Sequence, residues 1–166
     1  MKRLTLVFLV LLFCFGCTKK QEVLQDPTER YYEMVDLAST YEVSESKPEY
    51  YDVSGEVSKI DGGYRYYVFI DNPRIAMYDV EAIAVVDGVD HKKTMAANVG
   101  IFEEKEYNMV PNQKNIDIGY VGGIAISGTC ETGNVSLRVL IRWENNGGTS
   151  SYRECYRLNI AYDSEQ

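Results

Sequence analysis

Histidine and tryptophan occur once each in this chain, and positive charge is scarce, with 17 Lys and Arg against 25 Asp and Glu. The one histidine, His91, lies between Asp90 and Lys92, and no serine or cysteine sits in a nucleophile-elbow setting. The sequence therefore spells out neither a Ser-His-Asp triad nor a histidine-rich metal site, and His91 reads as a solvated turn residue. The shortage of basic residues argues against a nucleic-acid partner, because binding there depends on Lys and Arg displacing counterions from phosphates. No apolar run approaches the roughly 20 residues that a membrane-crossing helix needs. Repeats and low-complexity tracts are absent as well. With 45% hydrophobic and 25% charged residues, wholesale disorder is excluded, and 166 residues allow one domain with little room for a second.

What the chain has in excess is tyrosine, 14 residues against 5 Phe. Tyrosine suits pleated, half-buried surfaces where the ring packs and the hydroxyl reaches water, so the composition leans towards an all-β protein.

The strongest local signal is at the N-terminus. Met1-Lys2-Arg3 is a short basic segment, and Leu4 to Phe15 follows without a charge. Twelve residues of helix rise about 18 Å, against roughly 30 Å of bilayer hydrocarbon, which fits the apolar region of a signal peptide better than a span. Gly16-Cys17 and then polar Thr18-Lys19-Lys20-Gln21-Glu22 complete the pattern. A small residue directly before Cys at the end of such a segment resembles the lipobox of bacterial lipoproteins. In that family the third residue before the Cys is usually aliphatic, and here it is Cys14.

The resemblance implies that residues 1–16 are a signal peptide. It further implies that Cys17 carries diacylglycerol and an acyl chain such as palmitate, holding the protein at a bacterial cell membrane or outer membrane, outside the cytoplasm. Two or more acyl chains anchor durably, at about 0.8 kcal/mol per buried methylene. Losing Lys2 and Arg3 with the leader leaves 15 basic against 25 acidic residues, a charge of −10.

Residues 17–47 read as the lipidated terminus, a tether and a short helix. Asp26-Pro27-Thr28-Glu29 has an N-cap, a first-turn proline and capping-box spacing, and Tyr31, Met34, Val35 and Ala38 follow at helical spacing. A helix over about 27–40 is expected, packed on the domain or extending the stalk. Ser44 to Pro48 ends it.

Residues 48–163 carry β punctuation. Strands are expected over 50–60 and 64–71 around an Asp61-Gly62-Gly63 turn, then over 76–87, the longest apolar run of the body. A weaker polar strand over 91–97 would lie at an edge guarded by Lys92 and Lys93. Strands over 121–127 and 135–143 follow. In the latter Val135, Leu137, Val139, Ile141 and Trp143 alternate with Ser136, Arg138, Leu140 and Arg142. Asn145-Asn146-Gly147-Gly148 turns the chain into a return strand, with Tyr152, Tyr156, Leu158, Ile160 and Tyr162 on one face and Arg153, Cys155 and Arg157 on the other.

Seven to eight strands without intervening helices predict an antiparallel β-sandwich. The run Tyr67-Val68-Phe69-Ile70-Asp71-Asn72-Pro73, the stretch from Val80 to Val86 before Asp87-Gly88, and Val110-Pro111-Asn112 resemble the immunoglobulin-like domains of bacterial surface lipoproteins. In those domains a Gly often stands where this chain has Asn112.

Cys130 and Cys155 remain once Cys14 is removed and Cys17 modified. Outside the cytoplasm such a pair is often a disulfide, and the alternative is two free thiols. Neither has a second metal ligand beside it, and the aspartates at 61, 71, 87 and 90 spell no calcium loop, so no metal or other cofactor is expected. Tyr64, Tyr66 and Tyr67, with Tyr50 and Tyr51 on the neighbouring strand, are candidate ligand-binding rings; the alternative is that they cover the core. The expectation is a non-catalytic lipoprotein whose sandwich contacts an unknown protein partner at the cell envelope. The competing reading is a carbohydrate-binding module with a tyrosine platform.

Overall fold

The computed structural model describes residues 26–44 and 46–163. Cys17, the leader and the tether lie outside the described residues.

The helix forms where its cap and spacing predict. α1, Pro27–Thr40, starts at Asp26, whose carboxylate accepts the Thr28 N–H at 2.8 Å. Seven strands follow: β1 (Asp52–Ile60), β2 (Gly63–Asp71), β3 (Tyr78–Val86), β4 (Ala97–Val99), β5 (Gly123–Cys130), β6 (Asn134–Glu144) and β7 (Ser151–Ala161). All paired strands are antiparallel and form two sheets, β1-β2-β5 and β4-β3-β6-β7. The architecture is an all-β sandwich with one short helix.

Alternation decides the core. Tyr66, Val68 and Ile70 of β2 and Ile124 and Ile126 of β5 meet Val80, Ala82 and Ala84 of β3 and Leu137, Val139, Ile141 and Trp143 of β6. A second buried cluster lies on the other side of the four-stranded sheet. There Tyr31, Met34, Val35 and Ala38 of α1 cover Ile83, Val85, Leu140 and Cys155. The helix therefore packs on the body and belongs to it. β3 is buried on both faces, which is why its sequence is a continuous apolar run.

α1 is fastened at both ends by arginines from β6 and from itself. Arg138 donates from Nε to the Ala38 carbonyl at 2.5 Å and from Nη2 to Tyr41 O at 2.6 Å, where the helix has no basic residue of its own. Ser44 then forms a parallel bridge to Tyr156, its N–H donating to Cys155 O at 2.8 Å, so the chain after the helix partly covers the β7 edge.

The expected strand over 91–97 is corrected. Residues 91–94 form a turn, and pairing begins only at Ala97. Lys92 and Lys93 therefore lie in the turn and not on the edge strand. The reason is His91. It is 7% exposed, its Nε2 accepts the Val86 N–H at 2.9 Å, and Nδ1 is then the protonated nitrogen that donates to Thr94 O at 3.0 Å. The solvated reading of His91 fails because the ring satisfies backbone groups that the turn leaves over.

Candidate functional site

The three candidate tyrosines do not share a surface. In β2 the inward positions are 64, 66, 68 and 70, so Tyr66 lies in the core at 2% exposure, with burial pushing its phenol up to about 12. Tyr64 is half-buried and packs on Tyr162, centroids 5.6 Å apart, at the end of the sandwich. Tyr67 points outward, nearly parallel to Phe69, with an interplanar angle of 8° and centroids 6.3 Å apart. A platform of Tyr64, Tyr66 and Tyr67 is thus excluded by strand parity.

The outward pair stands opposite exposed Ser54 and Glu56 on β1 and Ala125 and Ser127 on β5. Tyr51, one residue before β1, is fully buried. Its hydroxyl donates to Glu154 Oε2 at 2.5 Å, and Tyr156 donates to the same oxygen at 2.6 Å. Burial and the facing carboxylate push both phenols well above the usual tyrosine range, and the shared carboxylate ties the entry of β1 to β7.

Cys130 and Cys155 are free thiols. The expected bridge is corrected by burial side: Cys130 packs against the inter-sheet core, whereas Cys155 is 1% exposed under α1, on the opposite face of the four-stranded sheet. Burial raises both thiols, so neither is an activated nucleophile.

An open groove of about 920 Å³ lies at the end of the sandwich where α1 and β3 begin and β6 ends. Two of its lining residues, Arg30 and Arg142, hold a group that sequence reasoning passed over. Glu81 is fully buried on β3; one oxygen accepts from Arg30 of α1, and the other accepts from Arg142 of β6 at 2.7 Å. Arg142 also reaches Glu144 at 3.1 Å. Burial is the largest influence on Glu81 and pushes its carboxyl up against the pull of both guanidinium groups. The signal was present: an acid inside the longest apolar run of the body needs a cationic partner to be buried there.

The β3 entry is shaped by a bulge between Tyr78 and Glu81, with Asp79 at φ 47° and its N–H donating to Asn108 Oδ1 at 3.2 Å. Gly100 closes the side wall at φ 84°, so near the Val80 carbonyl that a side chain there would overlap it. The rim is acidic, with Asp26, Asp79, Glu103, Glu104 and Glu106. Arg30 and Arg142 are committed to Glu81, leaving Lys105 as the rim's further cation among the described lining residues.

Such a groove suits a cationic, extended ligand. Among the described residues no group of three His, Cys, Asp or Glu is placed to hold a metal ion, and no helix is long and apolar enough to cross a membrane. In comparisons with protein-family models, curated proteins and solved structures, nothing matches this chain.

Proposed function

We propose that this chain is a bacterial lipoprotein, held at a membrane outside the cytoplasm through acylated Cys17, whose sandwich is a non-catalytic protein-contact module. The observation that carries the reading is the junction itself. A basic, apolar, small-residue-then-Cys leader is followed, nine residues after Cys17, by a folded body that begins at Asp26.

The strand order supports an immunoglobulin-like assignment. Strands one, two and five on one sheet facing four, three, six and seven on the other is the arrangement that Greek-key sandwiches of that class use. The acidic groove supports a basic segment of a neighbouring envelope protein as the ligand.

A photo-cross-linking residue at Asn146, which lines the groove, tests this in the lipidated protein in its own envelope. The expected result is a discrete protein adduct that is lost in a Glu104→Lys/Glu106→Lys variant. No adduct above that of a probe at Asp61 would refute the protein-contact reading.

A second reading keeps the outward aromatic pair. The stacked Tyr67 and Phe69 rings, opposite Ser54, Glu56, Ala125 and Ser127, offer an outward aromatic surface against which a sugar ring packs. It predicts glycan-array signal that disappears in Tyr67→Ala.

A further inference from the structure

Among the described residues Ile116 is the most exposed large apolar residue at 75%, and Ile118 at 64% stands just below Met95 at 66%. Singly exposed apolar residues are ordinary, but these two flank one residue on a turn that the backbone holds firmly. Asn115 and Tyr120 exchange both backbone hydrogen bonds at 2.9 and 3.0 Å, and Gly119 N–H donates to Ile116 O at 3.2 Å. At φ 80°, Gly119 sits where a side chain would overlap the Glu106 carbonyl. The isoleucines are thus presented by a pinned tip.

The position of that tip gives it meaning. The turn packs along residues 106–108, and Tyr120, Glu106 and Asn108 line the same groove as Asp26 and Pro27, where α1 begins. The chain arriving from Cys17 therefore enters at this end. Nine residues reach at most about 30 Å, comparable with the length of the sandwich strands. Phe102, 44% exposed, lies in the loop that borders the groove at this end.

We propose that Ile116 and Ile118 make a second, weak contact with the lipid surface, orienting the sandwich with its groove end towards the membrane. The inference rests on the anchored reading of Cys17. A lipid surface accepts a protruding pair of side chains without a shaped pocket, and a short tether supplies an effective concentration high enough for a weak contact to be populated. Exposed Glu103, Glu104, Glu106 and Asp117 outnumber the exposed Lys105 and Lys114 beside the tip and oppose an anionic surface, so the lipid is zwitterionic.

The test uses the full lipidated protein in phosphatidylcholine vesicles, with an environment-sensitive fluorophore at Asp117→Cys in a Cys130→Ser/Cys155→Ala background. Flotation with the vesicles reports the anchor separately. If it fails, an N-terminal hexahistidine in place of residues 1–17, on a nickel-chelating lipid, supplies the same tether. The expected result is a blue-shifted emission quenched by brominated lipid at position 117. It should be absent at Asp61→Cys on the far turn, lost in Ile116→Ser/Ile118→Ser, and weakened when phosphatidylglycerol is added. Equal quenching at both positions, quenching unaffected by the serine pair, or cross-linking of the tip to a protein without lipid quenching would overturn the proposal.

Discussion

Tyr66 and Gly128 are partners across the β2–β5 pair, and the phenol of Tyr66 lies where a side chain at 128 would begin. The glycine gives the ring its place, and the ring covers a backbone that would otherwise open onto the core. Gly128→Ala forces the ring to move or the strands to part, at a cost of about 1–3 kcal/mol by the measure of overpacked cores. Urea denaturation should show that loss in the parent and a smaller loss in a Tyr66→Leu background. Equal losses in both would mean that the two residues do not act on one another.

The same burial makes Tyr66 a reporter of alkaline stability. Its phenol is pushed from 10.0 to about 12 in the fold, so above pH 10 the unfolded chain releases a proton that the folded chain retains. The contribution is complete below pH 10 and is lost as the pH climbs towards 12. Stability should therefore fall over that window, with Tyr51 and Tyr156 acting in the same direction, and Tyr66→Phe should make the fall smaller. A parent whose stability is level across pH 10–12 would contradict the assignment.

Removing the buried Glu81 carboxylate strands two guanidinium groups. Glu81→Ala should destabilise by roughly 3 kcal/mol, at the low end for a broken buried pair because Arg30 and Arg142 are 20% and 23% exposed. Replacing all three together, as Arg30→Met/Glu81→Leu/Arg142→Met, should recover most of the loss. Thermal melts of the two variants decide the matter, since an unrecovered triple would mean that the ions act through something other than their pairing.

With Cys130 and Cys155 unbridged, reductant should leave the melting temperature unchanged. A thiol reagent should modify Cys155 only after denaturant is added, because it is 1% exposed under α1. A lowered melting temperature in dithiothreitol would indicate a bridge.

Much of this architecture was legible along the chain. The cap at Asp26 with Tyr31, Met34, Val35 and Ala38 located α1, and alternation in 135–143 assigned β6 its faces. Parity also carried information that went unused, since Tyr66 and Tyr67 are adjacent in a strand and must face opposite ways. What remained hidden depends on contacts between distant segments. Cys155 stands among polar residues of β7 yet is buried, because α1 lies over it. His91 is a local exception: it looks solvated beside Asp90 and Lys92, yet the turn folds its ring back onto the Val86 N–H five residues earlier. The groove likewise exists only where five separate segments meet.

The anchor is the claim on which function depends, and intact-mass analysis of the mature N-terminus measures it directly. The account predicts a chain beginning at Cys17, heavier by a diacylglyceryl group and an acyl chain, and a Cys17→Ser variant that keeps its leader and gains no lipid. A mature protein that starts elsewhere, or starts at Cys17 without added mass, would contradict it.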